Sequence, residues 1–353
     1  MDFFPELEST YWKQTNDQEK YELFELKIKP KIPKDLTVSQ LQLKTFEMSG
    51  IKQRSFQFLL NQETFTFIPA ARSVILGWDN GGNDEILREV LLNAYDDLVE
   101  SAEREKRISG QNFNDWINEH TTNLRKVNIP PMIVSKYASP ASASFLGTID
   151  PITGTFKGNQ ELFSLYQPQI RDVLFPKLSF AESLSFRQPD TYLFKGGFYL
   201  ELFPFTEKYR VYAHQPMTMV DNISQINRSG FQLLSENEWE YVVGAGCRKL
   251  FRFDTQQEVA ALLSQDNLYQ KTKITEVENM FGLVIDTTGR RFELTNNPFC
   301  LKLTSEKSSG NIVRDILPLA TYYQSHQSVS MTELLLPERF SYRKMINLAI
   351  KHD

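Results

Sequence analysis

The residues that could carry redox or metal chemistry are few in this chain. Of its 353 residues, two are cysteines and four are histidines: Cys247, Cys300, His120, His214, His326 and His352. So few histidines argue against a zinc or iron centre built from several of them, and two cysteines cannot form a disulfide framework. Cys247 and Cys300 could form a redox site if the fold brings them together, but a free cysteine is more commonly a small buried hydrophobic residue.

The common catalytic motifs give little further support for an enzyme. The sequence has no Gly-x-Ser-x-Gly elbow, no Gly-x-x-x-x-Gly-Lys-Ser/Thr phosphate loop and no His-Glu-x-x-His pair. His214 and His326 are the histidines on which a serine-type triad could draw. We expect His214 to be packed or hydrogen-bonded, whereas His326 is a catalytic candidate together with the two cysteines.

Composition and charge exclude several classes of partner. The chain carries 39 Lys and Arg against 44 Asp and Glu, a net charge of −5, so it has no basic field that would attract nucleic acid or anionic lipid. The first residues do not resemble a secretion signal, and no run approaches the roughly 18 apolar residues of a membrane span. We therefore expect a cytoplasmic protein that binds neither nucleic acid nor membranes.

Residues 22–69 have the pattern of short strands. Apolar alternation predicts strands at Glu22–Lys29, Leu41–Met48, Ser55–Leu60 and Thr64–Pro69. The last of these turns Phe65 and Phe67 to one face. We expect residues 1–60 to be a β-rich extension that precedes a domain spanning residues 61–353.

Helical periodicity replaces this pattern at about residues 83–125. A first helix is predicted to begin at Asn83 or Asp84, with apolar residues at spacings of three and four: Leu87, Leu91, Ala94, Tyr95, Leu98 and Ala102. A second helix should turn four apolar residues to one face: Phe113, Trp116, Ile117 and Leu124. Beyond residue 130 the elements are short and rich in turns, which indicates an α+β, loop-rich fold with this helical insertion.

A third helix has the clearest start signal in the chain. Ser235 and Glu238 have the spacing of a reciprocal capping box, and Leu234 and Trp239 occupy the positions of a hydrophobic staple. The acidic residues 236, 238 and 240 place negative charge at the positive end of the helix. We expect a structural helix here rather than a catalytic one.

Five stretches, in the same order, resemble the formylglycine-generating enzyme, or sulfatase-modifying factor, family. Residues 233–241 (Leu-Leu-Ser-Glu-Asn-Glu-Trp-Glu-Tyr) are similar to its Arg-Leu-Pro-Thr-Glu-Ala-Glu-Trp-Glu-Tyr signature. Residues 67–77 resemble its opening strand pair, and residues 214–220 its His-Pro-Val segment. Residues 279–293 resemble its Asn-x-Phe-Gly-Leu stretch, and residues 339–343 its closing Gly-Phe-Arg. The resemblance implies the family's fold, which is related to C-type lectins.

The chemistry of that family is not expected to have survived. Active members hold copper with a cysteine pair near the carboxyl end, but residues 304–343 contain no cysteine, so copper is not expected. Relatives that synthesise sulfoxides use a histidine-rich iron site on a helical domain. The helical insertion carries only His120, which we expect to be solvated or to cap its helix.

One metal site of the family has a chemical match. Asp286, Gly289, Arg291 and Glu293 stand where the family binds a structural calcium ion through two side chains and two main-chain carbonyls. Oxygen ligands of this kind suit Ca²⁺, so the resemblance implies a structural calcium. The alternative is that residues 286–289 form only a turn between two strands.

Three functions remain open, and the sequence favours a non-catalytic protein over an enzyme. The first is a binding or interaction module of the formylglycine-generating-enzyme fold, whose partner is an unknown protein or small ligand. The expected cleft-lining residues are Trp78, Arg314, Tyr322, Tyr323 and His326. The second is an oxidoreductase of the same superfamily with a rewired cysteine site, and the third is a calcium-dependent, lectin-like carbohydrate binder.

Overall fold

The structure is a computed structural model, and it describes residues 3–48, 50–88, 113–203, 207–252, 278–286, 291–303 and 312–350. Several antiparallel sheets and short helices make up this part of the chain. The α+β class predicted from the sequence is therefore confirmed. None of the helices in these ranges is long and apolar enough to cross a bilayer.

A six-stranded antiparallel sheet connects the two ends of the chain. Its strands are, in spatial order, β1 (Val38–Met48), β2 (Ile51–Leu60), β3 (Glu63–Ile68), β6 (Met132–Ser135), β17 (Lys344–Asn347) and β13 (Gln232–Leu233). The strand predictions at 41–48, 55–60 and 64–69 are confirmed. Phe65 and Phe67 are fully buried, as the alternation in β3 required.

The strand predicted at Glu22–Lys29 is wrong, because this segment is helical. Helices α1 (Ser9–Gln14) and α2 (Asp17–Leu23) continue into a π-helical turn at Phe24–Ile28 and a 3₁₀ turn at Lys29–Lys31. Phe24 and Ile28 are buried, whereas Leu26 between them is 71% exposed. Apolar residues four apart share one face of a helix, and here that face decides the conformation against the strand-like alternation.

The N-terminal segment packs on the same sheet as the rest of the chain. β2 pairs with β3, and Trp12 and Phe24 share a hydrophobic cluster with Phe67 and Phe340. The indole N–H of Trp12 donates to the carbonyl of Arg54 in β2 (2.8 Å). The proposed division at residue 60 therefore falls in a β-hairpin of one continuous sheet, and as a domain boundary it stays a prediction.

Residues 143–214 form a second, five-stranded sheet with its own core. Its order is β10 (Thr191–Phe194), β11 (Phe198–Phe203), β12 (Lys208–His214), β8 (Ala143–Ile149) and β9 (Phe156–Gly158). Helices α4 (Gln160–Ser164), α5 (Gln167–Leu174) and α6 (Phe180–Ser185) lie between β9 and β10 in the chain. Side chains from α4, α5 and the strands form one separate cluster: Leu146, Ile149, Phe163, Ile170, Leu174, Phe198, Leu200, Tyr209 and Val211.

The remaining strands form two smaller sheets. They are β4 (Ala71–Leu76) with β5 (Arg125–Ile129), and a four-stranded sheet of β15 (Leu301–Lys302), β14 (Phe292–Leu294), β16 (Phe340–Tyr342) and β7 (Ser139–Pro140). The helices are α3 (Phe113–Glu119), α7 (Met219–Arg228), α8 (Glu236–Gly244) and α9 (Ile312–Ile316), with a 3₁₀ turn at Leu317–Leu319.

The predicted helix starts are found in the structure. A helix begins after Asp84, whose carboxylate accepts from the amides of Ile86 (2.9 Å) and Leu87 (3.4 Å). The rest of the predicted helix, with Leu91, Ala94, Tyr95, Leu98 and Ala102, falls on residues 89–112, which lie outside the described residues. In α3, Ile117 is buried as predicted, but Leu124 lies beyond the helix end and is exposed, so that part of the prediction is wrong.

The capping box of α8 is confirmed in both directions. The Ser235 hydroxyl accepts from the amide of Glu238 (3.3 Å), and the Glu238 carboxylate accepts from the amide of Ser235 (2.7 Å). Trp239, Val242 and Val243 are fully buried in the largest hydrophobic cluster. The helix is therefore anchored at its start and along its apolar face.

Candidate functional site

Neither cysteine is part of a disulfide, and the surroundings of the two differ. Cys300 is 7% exposed, and burial raises the pKa of its thiol to about 12, with a further contribution from Glu236, which accepts a hydrogen bond from the thiol. Cys247 is half-buried and follows the end of α8, where its sulfur lies 4.0 Å from the carbonyl oxygen of Ala245. Because the thiolate is the reactive form of cysteine, we expect the Cys300 thiol to stay protonated and to react slowly near neutral pH.

A buried charge network lies next to Cys300. The ammonium of Lys302 contacts Glu236 (3.1 Å) and Glu240 (3.2 Å), and Lys302 and Glu240 are almost completely buried. Glu240 also pairs with Arg125 (2.9 Å) and accepts from the hydroxyl of Thr122 (2.9 Å). The sequence pattern predicts only capping and helix-dipole roles for the acidic residues of α8. It does not predict these ion pairs, because the partners are distant in the chain.

Three of the predicted ligand-binding residues flank one short segment, residues 121–122. The amide of Trp78 donates to the carbonyl of Thr122 (2.9 Å), and the amide of Thr122 donates to the carbonyl of Tyr322 (2.8 Å). Thr121 and Tyr323 form an isolated antiparallel bridge. The structure therefore brings Trp78, Tyr322 and Tyr323 into one region.

The two tyrosines of this group point mainly into the protein. Tyr322 is 1% exposed, and its hydroxyl donates to the carbonyl of Cys247 (3.1 Å). Tyr323 is 8% exposed, and its carbonyl accepts from the ammonium of Lys302 (3.0 Å). Both contribute to the largest hydrophobic cluster. Their part in ligand binding stays a prediction, whereas their part in packing is directly visible.

The other two predicted ligand-binding residues are exposed. Arg314 lies on the short helix α9. His326 lies in the loop after Tyr323, and its ring centre is 5.2 Å from that of His120. His120, at the end of α3, has its Nδ1 atom 2.8 Å from the carbonyl oxygen of Trp116, one turn earlier, which agrees with the expected capping role.

A cleft of about 850 Å³ lies beside Trp78, and its size is in the range of small-molecule sites. Its lining combines apolar and charged residues: Trp78, Asp79, Asn80, Asn83, Asp84, Glu85, Ile86, Arg88, Arg248, Lys249 and Phe251. Of the residues predicted to bind ligand, Trp78 is in this lining. The sequence did not predict three of these residues: Asp79, Arg248 and Lys249. Nothing in the local sequence relates the end of α8 to the loop after β4 that contains Trp78, the Trp78 loop.

The Trp78 loop is held tightly against its neighbours. The indole N–H of Trp78 donates to the carbonyl of Gly81 (2.8 Å). Gly77 has a φ of +93°, and a Cβ atom there would lie 2.2 Å from the carbonyl oxygen of Asn123. Only glycine permits this approach without strain, so the backbone itself fixes where Trp78 enters the cleft.

Charges of both signs face the cleft. Arg248 and Asp79 both line it, and their charged groups are 3.8 Å apart. Burial raises the pKa of Asp84 above its ordinary value, although its bonds to backbone amides act in the other direction. A ligand that enters this cleft would meet three basic side chains, from residues 88, 248 and 249, and three carboxyl groups, from residues 79, 84 and 85.

The four residues of the predicted calcium site differ in their surroundings. Gly289 lies outside the described residues. Glu293 is buried and contacts Arg343 at 2.8 Å. Arg291 pairs with Glu201 (2.8 Å) and donates to the hydroxyl of Tyr199 (2.6 Å). Asp286 is half-buried.

Calcium binding at these residues stays a prediction. Among the residues that the structure describes, no three His, Cys, Asp or Glu side chains are grouped as a metal site requires. The Arg343 guanidinium lies next to Oε1 of Glu293 and would compete with a cation for this oxygen.

Comparison with known families gives one match. Residues 144–213 match a family described as a profilin-like domain of unknown function, DUF7278. No curated protein and no solved structure matches the chain. The matched residues correspond closely to the five-stranded sheet and its helices α4, α5 and α6.

Proposed function

We propose that this chain is a non-catalytic or diverged protein of the formylglycine-generating-enzyme fold that acts as a binding or interaction module. The fold part of this proposal rests on the sequence stretches and on how they pack. The side-chain Nδ2 of Asn279, in one stretch, donates to the carbonyl of Val242 in the capped helix (2.7 Å). Arg343, from the closing stretch, contacts Glu293 and donates to the carbonyl of Val284 (2.6 Å).

The cleft beside Trp78 is the observation that carries the binding part. It offers an apolar floor from Trp78, Ile86 and Phe251, which are almost completely buried, under a rim of exposed charges. An apolar surface with a few convergent polar groups is typical of ligand sites. The partner in this proposal is a small ligand or a protein segment, and neither nucleic acid nor a membrane is involved. The cytoplasmic location belongs to the same proposal.

The cysteine chemistry supports this proposal over an oxidoreductase. Burial raises the pKa of the Cys300 thiol to about 12, so near neutral pH the metal-free thiol stays protonated and is a weak nucleophile. Cys300 is therefore a poor half of any catalytic pair with Cys247. A structural calcium ion remains part of the proposal, without a role in catalysis.

Ligand-observed NMR with a fragment library of carboxylates, amines and saccharides tests the cleft. Binding fragments should lose affinity in the exposed cleft variant Arg248→Ala and keep it in Arg187→Ala, an exposed arginine outside the cleft lining. Fragments that bind both variants equally would contradict the cleft as the site. Saccharide binding that a calcium chelator abolishes would favour the lectin-like alternative instead.

A separate assay addresses catalysis. The protein is supplied with copper and a thiol substrate, and oxygen consumption is recorded for the wild type and for Cys247→Ser and Cys300→Ser. We expect no consumption above that of copper alone. Oxygen consumption by the wild type that either substitution abolishes would contradict the binding-module proposal and support the oxidoreductase.

A further inference from the structure

Two histidines that are distant in the sequence lie side by side at the surface. The ring centres of His120 and His326 are 5.2 Å apart, with an angle of 83° between the ring planes. His120 is half-buried and His326 is exposed. A backbone hydrogen bond from the Gln324 amide to the His120 carbonyl (2.9 Å) joins the His326 loop to the end of α3.

The hydrogen bond of His120 decides which of its ring nitrogens is available. Its Nδ1 atom lies 2.8 Å from the carbonyl oxygen of Trp116. A carbonyl only accepts, so Nδ1 carries the proton, and in the neutral ring Nε2 keeps its lone pair. Metal-bound histidines commonly have this arrangement, in which a backbone carbonyl fixes the tautomer and the ring orientation.

The Trp116 side chain further restricts the His120 ring. The two ring centres are 4.3 Å apart, with an angle of 33° between the planes. The indole therefore covers one face of the imidazole, and the helix and the loop hold the two histidines at a set separation. A site whose ligands are held in place before the ion arrives binds it more favourably.

We propose that His120 and His326 form a binding site for a divalent transition ion of the zinc class. Two imidazoles on one tetrahedral ion have ring centres about 5 Å apart, given Zn–N bonds of about 2 Å. The observed separation of 5.2 Å satisfies this requirement. Neutral imidazole nitrogens suit zinc, copper, nickel and cobalt rather than calcium or magnesium.

Only two ligands of this site come from the described residues. No third His, Cys, Asp or Glu among them completes a metal-binding group. The remaining positions of the ion are therefore open to water or to a donor atom of a bound molecule, as in zinc sites that keep an exchangeable position. This inference does not depend on the proposed cleft function.

Calorimetric titration of the full chain with zinc chloride tests the site. We expect one ion per chain, with binding weakened at least tenfold in His120→Ala and in His326→Ala, because even loss of an outer partner weakens metal affinity about ten- to a hundredfold. Gln324→Ala, which keeps both imidazoles and the backbone bond, should bind zinc like the wild type. Circular dichroism and thermal unfolding verify that each variant is folded.

Imidazole ¹⁵N spectra provide a readout that folding defects cannot imitate. Zinc should shift Nε2 of His120 while its Nδ1 remains protonated. Zinc that binds both alanine variants as tightly as the wild type, or that fails to bind the wild type at millimolar concentration, would overturn the proposal.

Discussion

Arg343 and Glu293 form an ion pair inside the protein, with Nε of Arg343 2.8 Å from Oε1 of Glu293 and each side chain only 1% exposed. The same guanidinium donates to the carbonyls of Lys136 (2.8 Å) and Val284 (2.6 Å). Arg343 lies between β16 and β17, and its side chain therefore links this point of the chain to the segments that contain Lys136 and Val284. The buried guanidinium has an ionic partner and a carbonyl acceptor for each terminal nitrogen, whereas Nε and the two Glu293 oxygens make no hydrogen bond with the described residues.

Removal of one member of this pair should destabilise the fold strongly. Arg343→Met leaves the Glu293 carboxylate buried without its partner, and we expect a loss of about 3–5 kcal/mol in the free energy of unfolding. Urea denaturation measures this loss. The double variant Arg343→Met, Glu293→Leu should recover part of it, because it removes the unpaired charge. A loss below about 1 kcal/mol in the single variant would mean that the pair is not buried in solution.

Substitution of Asn279 should also destabilise the fold strongly, because its side chain bonds buried backbone groups. Its side-chain Nδ2 donates to the carbonyl of Val242 (2.7 Å), and its side-chain oxygen accepts from the backbone amides of Phe281 (2.9 Å) and Leu283 (3.1 Å). Asn279→Ala leaves all three buried backbone groups unsatisfied, at about 1–3 kcal/mol for each group that finds no water.

The matched control is an exposed asparagine. Asn227→Ala, near the end of α7, should change stability by less than about 0.5 kcal/mol. Thermal or urea unfolding of both variants makes the comparison. Equal effects from the two substitutions would contradict the role assigned to Asn279.

The sequence predicted those features that depend on neighbours in the chain. The capping box of Ser235 and Glu238 is local, and it was found as expected. The strand predicted at Glu22–Lys29 was wrong, because burial of Phe24 and Ile28 on one face favours a helix there. The partners of Lys302 could not be predicted, because 62 positions separate it from Glu240 and only the fold brings the two together.

The two cysteines should differ widely in reactivity. At pH 8, only about one Cys300 thiol in ten thousand is ionised if its pKa is near 12, so it should react slowly with a disulfide reagent such as Ellman's. Half-buried Cys247 should react first. We expect one fast equivalent per folded chain and two in guanidinium chloride. Cys247→Ser should remove the fast phase, and a fast phase that persists in this variant would contradict the burial of Cys300.

Glu236 should make stability depend on acid. Burial acts to raise its pKa, but Lys302, the Cys300 thiol and Arg125 together outweigh burial, and the pKa lies below its ordinary value of 4.5. A carboxylate whose pKa is lowered on folding stabilises the protein above its unfolded-state pKa, and this contribution is lost as the pH falls through the folded-state pKa. Stability should therefore decline below pH 4.5.

Glu236→Gln isolates this contribution. The difference in free energy of unfolding between wild type and variant should be constant near neutral pH and shrink as the pH falls below 4.5, because the wild-type carboxylate then becomes protonated and loses its attraction to Lys302. The contribution of Lys302 to stability changes with pH in the opposite direction. The carboxylates around it, Glu240 foremost, raise its pKa above 10.5 despite burial, so its contribution is lost only at more alkaline pH.

Urea denaturation at a series of pH values measures the loss of stability in acid and in alkali. A difference that stays the same from neutral pH down to the acid limit would show that Glu236 is not paired with Lys302 in solution.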